Sequence, residues 1–392
     1  MIRTDIIMND SMRRFVGDYL GLLLIILVFP LKLISDILAY LYNIPVPSAT
    51  IIAFPVLLLA LFFFPIRINR LNKYPKIILV CFFSFFIISV CLNLIFYHTS
   101  KFNLVVFNLF FTSFFMYFLS FYSGLYYLKF KKIVNQCFYF TLYVVTGVIL
   151  YTQFFLKDVW GQLNEYGAYL RIADVYSIIL LLIIPTIKSN FLKCGLLILG
   201  ALTLLYIGSR SSLVFFLAAV FIFYTYSLIS LKIKTTSIFS LIVLVFSLII
   251  VVGNLSETYS FSESFSDTRI GYTVESSSGG DDARTIFLNS GLERISVNPF
   301  TGNLYTRLKE EESGGNYIHN ILFLLDDYGL FVFLPILFLI FWILIKSFKE
   351  KEYFFLLMPL IFCLLSMIFS RAYAFPYFFF FLGIYINLSS KK

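Results

Sequence analysis

The sequence predicts an all-α, polytopic integral membrane protein of about twelve transmembrane helices with one large exterior loop. Three observations predict it. Of 392 residues, 60% are hydrophobic and only 13% charged, with 50 Phe and 27 Tyr, a balance that no soluble globule can hide in its core. The apolar residues fall in runs of about 18 to 22, enough to cross a hydrocarbon core of roughly 30 Å as helices that satisfy their own backbone. Between the runs, clusters of Lys and Arg recur at every second loop, the pattern that marks cytoplasmic sides.

In order, Arg3, Arg13 and Arg14 precede the first run, Tyr19 to Tyr42, which is interrupted near Pro30, Lys32 and Asp36. The second, Thr50 to Phe64, ends at Arg67, Arg70, Lys73 and Lys76. Ile77 to Tyr97 emerges at His98 and Lys101, and Val105 to Ser123 returns to a turn at Lys129, Lys131 and Lys132. Val134 to Phe155 reaches a polar loop with Trp160, Glu165, Tyr166 and Arg171, and Val175 to Ile187 returns to Lys188 and Lys193. Cys194 to Ile207 ends in Gly208-Ser209-Arg210-Ser211, and Leu213 to Leu231 returns to Lys232 and Lys234. Ser237 to Val252 opens the longest loop, residues 253–318, after which Ile321 to Ile345, Tyr353 to Phe369 and Ala374 to Leu388 finish the chain. Of the 30 Lys and Arg, 19 fall on the assigned cytoplasmic side, 10 on the other and Lys32 within the first run, so both termini are expected inside. The whole chain, 1–392, is expected to form one membrane domain, and its first helix to remain as an anchor, because no small-residue cleavage site follows it.

The net charge of +9 is absorbed by this topology rule, so it gives no reason to invoke nucleic acid. Cys81, Cys91, Cys137, Cys194 and Cys363 sit in or beside apolar runs without a C-x-x-C pair, as small core residues do. No D-x-D and no His or Cys cluster suited to a metal occurs in an exterior loop.

The rule leaves Arg171, Arg210, Arg269, Arg284, Arg294, Arg307 and Arg371 on the exterior side unexplained. A guanidinium presents a planar donor fork that suits phosphate, although each arginine can also reach headgroups or a local carboxylate. The long loop divides in two. Ser256 to Asp282 is rich in Ser, Thr, Glu and Gly and lacks periodicity, as a lid or linker would. From Ala283 to Ile295, the recurrence of Ile286, Phe287, Leu288, Leu292 and Ile295 predicts an amphipathic helix on the membrane surface, ended by Pro299 and Gly302.

An Arg opening an amphipathic segment (Arg284), then N-P-x-x-G (Asn298 to Gly302), then His319-Asn320 at a helix mouth followed by Gly329-Leu330, resembles the bacterial O-antigen polymerase and ligase superfamily. Ser209-Arg210 after a span is similar to a second motif of that family. The resemblance implies a multi-span, GT-C-like glycosyltransferase in the bacterial inner membrane. Its donor would be a glycan on undecaprenyl diphosphate, needing neither metal nor other cofactor, and its partners would include membrane lipid, a chain-length regulator and a flippase. It implies that His319 is the general base on the acceptor hydroxyl, that Asn320 orients it or the sugar, and that Arg284 and Arg210 hold the diphosphate. Arg171 matches a third arginine, but R-I-A-D-V-Y replaces the family's Asn-Pro-Asn-like turn, and Asp174 either substitutes for it or pairs with Arg171. Tyr317, Tyr166 and Tyr328 offer rings on which a sugar face can stack. A repeat-unit polymerase is the first expectation. A ligase of the same superfamily is the near alternative, and a lipid-linked oligosaccharide flippase the distant one, since it calls for buried charges in several spans.

Overall fold

The computed structural model describes residues 10–41, 49–63, 76–77, 80, 82–88, 91, 100–155, 168–231, 281–303, 320–370 and 376–389. Among these the protein is helical without a strand. Six helices among the described residues are long and apolar enough to cross a membrane, and two shorter apolar ones, Ser211–Ser227 and Tyr377–Ser389, accompany them.

The first span consists of α1 (Asp10–Ile26), a widened π turn (Leu27–Leu31) and α2 (Lys32–Leu41). Pro30 lies inside the π turn. Its ring lacks an N–H and collides with the carbonyl four residues back, so the backbone widens there instead of breaking. Lys32 and Asp36, which the sequence reading placed at the interruption, are a helical pair 3.2 Å apart on α2. Next comes α3 (Ala49–Phe63).

It is followed by α4 (Ser100–Phe155), 56 residues of continuous helical backbone. The backbone is helical through Lys129, Lys131 and Lys132, but the contacts of its two arms run in opposite directions: Tyr117 meets Phe379 and Leu125 meets Asn387 as the first arm approaches the lysines, whereas Tyr139 meets Thr186 and Thr146 meets Tyr176 as the second leaves them, so the chain turns back there as expected. The segment F-K-K-I-V-N-Q holds no Gly or Pro, so the turn is made without leaving helical backbone. The lysines find partners at the turn: Lys129 pairs with Asp18 of α1, and Lys131 lies over the Phe355 ring at 3.8 Å.

Then come α5 (Ala168–Ile183), α6 (Asn190–Ile207), α7 (Arg210–Leu231), α8 (Asp281–Val297), α9 (Leu322–Tyr328), α10 (Leu330–Lys349), α11 (Leu357–Phe369) and α12 (Tyr377–Ser389). Ser189 caps α6, its hydroxyl accepting from the Leu192 N–H, and Gly208 at φ 77° ends it in the left-handed region. The expected tenth run is two helices, α9 and α10, because Gly329 between them adopts φ 77°, ψ −178°. Helix α12 packs on α4 through glycine on both sides. A Cβ on Gly124 would overlap the Phe380 carbonyl oxygen, and one on Gly383 would overlap that of Phe121, so only glycine lets these backbones approach. Helix α10 shows apolar residues on two faces. Val332, Ile336, Leu339 and Ile343 are buried, whereas Phe331, Leu334, Phe338, Phe341 and Ile345 are exposed, as a lipid-facing helix requires.

The bundle has two chemically different ends. At one, Tyr226 donates to the Phe348 carbonyl at 2.6 Å, Ser347 bonds Tyr385, Lys346 pairs with Glu350, and the Asp18–Lys129 pair lies nearby in α1 and α4. Because α7, α10 and α12 finish there, their starts lie at the other end, along with the end of α2 and the start of α5. That second end holds the candidate site.

Candidate functional site

Two groups of polar residues are built there. The first joins α5 to α7. Helix α5 begins at Ala168, seven residues before the expected span, so Arg171 and Asp174 are one helical turn apart inside the helix and not in a loop. Asp174 is buried, with its Oδ1 accepting from the Ser212 hydroxyl at 2.7 Å. The Ser212 hydroxyl is in turn 2.6 Å from that of Ser209. Gly208 makes the left-handed corner that turns the chain so that Ser209 and Ser212, three residues apart at the head of α7, face Asp174 together. The structure thus brings R-I-A-D and G-S-R-S-S to one place. Arg171 is exposed there, and the backbone of Arg210 opens α7 between the two serines, its side chain outside the described ones. The Tyr377 hydroxyl lies within electrostatic reach of Asp36, Asp174 and Arg171, and the Cys363 thiol within that of Asp174.

Asp174→Ala is expected to cost about 1.5–3 kcal/mol, the range for a buried hydrogen bond to a charged group. Asp174→Asn keeps an oxygen acceptor for Ser212 and is expected to retain most of that. Thermal midpoints of the detergent-solubilised variants check the order, and equal losses from both substitutions would assign the effect to charge instead.

The second group joins α8 to α9. The Arg294 guanidinium grips the Asp326 carboxylate: Nε donates to Oδ1 and Oδ2 at 3.2 Å each, and Nη2 donates to Oδ2 at 2.7 Å. Arg294 is 9% exposed and Asp326 0%. Asn303 ties both backbones together, its N–H donating to the Asp326 carbonyl and its Nδ2 to the Arg294 carbonyl, at 2.6 Å each. Asn298 Nδ2 donates to Asn303 Oδ1 at 2.9 Å, and the Leu330 N–H donates to the Pro299 carbonyl at 2.8 Å. N-P-F-T-G-N and D-D-Y-G-L are therefore interlocked. A Cβ on Gly302 would overlap the Asp327 carbonyl, and one on Gly329 would overlap that of Phe300.

In sequence Arg294 is one exterior arginine among several, and nothing marks Asp326 as its partner. Their mutual burial has no signature in sequence, being a contact across 32 positions. The helix predicted over Ala283 to Ile295 is present as α8. Leu288 and Ile295 pack against the core, but Leu292 is exposed, and the buried ion pair docks the helix against α9. Pro299 and Gly302 follow its end, as expected.

Asn320 is half-buried, and its Oδ1 accepts from the Leu322 N–H at 2.9 Å, capping the start of α9. Arg284 has its backbone in α8 and its side chain outside the described ones, and His319, Tyr317, Tyr166, Arg371 and the 304–319 segment lie outside the described residues. Tyr328 is not available to a sugar: it is 1% exposed and its ring lies 4.5 Å from that of Phe86. It follows two aspartates at the buried end of α9, so its ring completes the core. Among the described residues no three His, Cys, Asp or Glu side chains gather as a metal set would require.

No family model matches this sequence, and a comparison with curated proteins returns no match.

Proposed function

We propose that the protein is a polysaccharide polymerase of the bacterial cytoplasmic membrane, moving a growing glycan from undecaprenyl diphosphate onto a new lipid-linked repeat unit on the outer face. The observation that carries this reading is the interlock of N-P-F-T-G with D-D-Y-G-L. The two segments behind the resemblance are hydrogen-bonded to each other through Asn303–Asp326 and Pro299–Leu330, beside the helix mouth that bears Asn320. The convergence of Arg171 and the Arg210 backbone at the starts of α5 and α7 adds a second basic locus at the same end of the bundle.

In this reading an acceptor sugar hydroxyl attacks the anomeric carbon of the donor. The new glycosidic C–O bond forms as the anomeric C–O bond to phosphate breaks, the hydroxyl proton passes to His319, and the carrier diphosphate leaves with the bonding pair. Arg284 and Arg210 hold the diphosphate and stabilise the charge developing on it. Asn320, whose side-chain oxygen is committed to the Leu322 N–H, keeps its Nδ2 to orient the sugar or the base. Tyr317 supplies a ring for a sugar face. Twelve spans with both termini cytoplasmic, a chain-length regulator and a flippase as working partners belong to the same proposal.

The test is the glycan of a deletion strain complemented with wild type, His319→Ala or Arg284→Ala, with blots confirming membrane abundance. Wild type is expected to restore a ladder and each variant to leave single repeats. Normal ladders from both variants would sink the site assignment. A ligase would instead leave lipid-linked polymer with none transferred to the core.

One observation favours the transporter alternative: Asp174 is a 3% exposed carboxylate within the apolar helix Tyr169–Thr186, the kind of group that lines substrate or proton paths. If Asp174→Asn abolishes export of lipid-linked repeats while His319→Ala leaves the ladder intact, that reading replaces the polymerase.

A further inference from the structure

We propose that Arg294 and Asp326 are the positioning pair of this site, an inference that rests on the polymerase reading for its substrate. They hold the helix that carries Arg284 at a fixed rotation against the helix that opens at Asn320.

The geometry is more than attraction. Two donor atoms of one guanidinium make three contacts to both oxygens of one carboxylate, so the pair restrains orientation as well as distance. Asn303 repeats the restraint on the backbone, bonding the carbonyl of each partner. Each partner is then rigidly connected to a proposed reactive group. Arg284 lies ten residues N-terminal to Arg294 on the same uninterrupted helix, a rise of about 15 Å at 1.5 Å per residue. Asn320 caps α9, on which Asp326 is the fifth residue.

Stability alone does not call for an ion pair here. Desolvating two charges offsets most of their attraction, and apolar residues of similar volume commonly hold such a site as well or better. What an apolar pair lacks is direction. Side chains lie about 5–6 Å from a helix axis, so a 20° rotation of α8 swings its side chains by about 2 Å. A misplacement of about 1 Å can cost about a hundredfold in rate.

The test uses Arg294→Met/Asp326→Leu, which removes both charges and keeps the volume. In the deletion strain this double variant is expected to reach the membrane within about twofold of wild type, yet to yield at least about tenfold less polymer, a loss within the range for misplaced reacting groups. A wild-type ladder from the double variant overturns the proposal, because the charges would then be dispensable for geometry. Loss of the variant from the membrane overturns it also, because the pair would then be a stability element. If His319→Ala and wild type give the same glycan, the polymerase reading fails by itself, and amide exchange on the purified protein decides the clamp. Faster exchange across 322–330 in the double variant supports it, and equal exchange overturns it.

Discussion

Asp326→Ala alone is expected to destabilise the protein by about 3–5 kcal/mol, a large share of the roughly 5–15 kcal/mol that holds a domain together. The carboxylate is 0% exposed and the guanidinium 9% exposed, so truncating the acid takes three donor contacts from a buried cation that water cannot reach without opening the interlock. The control is Asp18→Ala. That carboxylate also pairs with a lysine, but its partner Lys129 is 54% exposed, and such pairs contribute about 0–1 kcal/mol. Thermal midpoints of the detergent-solubilised proteins are expected to fall sharply for the first and barely for the second. Similar midpoints would mean that water reaches the Arg294–Asp326 pair in the folded protein.

Gly329→Ala is expected to be as damaging by a different route. The residue sits at φ 77°, ψ −178°, a region essentially reserved for glycine, where any side chain costs about 1–3 kcal/mol. The new methyl would also overlap the Phe300 carbonyl oxygen, which belongs to backbone and has little room to yield. Overpacking of this kind adds about 1–3 kcal/mol. Gly147→Ala provides the contrast, because nothing lies within 4 Å of its added methyl on a helix interior. There alanine is expected to be neutral or to stabilise by up to about 1 kcal/mol. Membrane abundance at several temperatures ranks the two, and a tolerated Gly329→Ala would show that the corner between α9 and α10 can open.

Much of this architecture is legible in the sequence where local rules decide. The corner at Gly208-Ser209-Arg210, the helix before Pro299 and the interruption at Pro30 each follow from a residue whose backbone preference acts on its immediate neighbours. The rules fail where hydropathy stands in for geometry. Lys129, Lys131 and Lys132 mark the place where the chain turns back although no break in helical backbone announces it, and Ala168 to Asp174, which reads as loop in the sequence, opens an apolar helix. Nor can a sequence pair Arg294 with Asp326 in preference to its neighbours, or bring Ser212 against Asp174 across 38 positions, because burial creates those partnerships after the chain has folded. The resemblance points to His319, Arg284 and Arg210, while the described contacts centre on Arg294, Asp326 and Asn303, which it does not name.

The three glycines of positive φ among the described residues, Gly208, Gly302 and Gly329, all lie at the end of the bundle where Asp174, Ser212, Arg294 and Asp326 are buried. The opposite end is held by partly exposed lysine pairs, a tyrosine donating to a backbone carbonyl and the buried Ser347–Tyr385 contact. Mutational tolerance should therefore be polarised along the molecule. One pole can drift or accept an inserted tag with little consequence, whereas the other has almost no neutral neighbours in sequence space and must diversify through the loops attached to it.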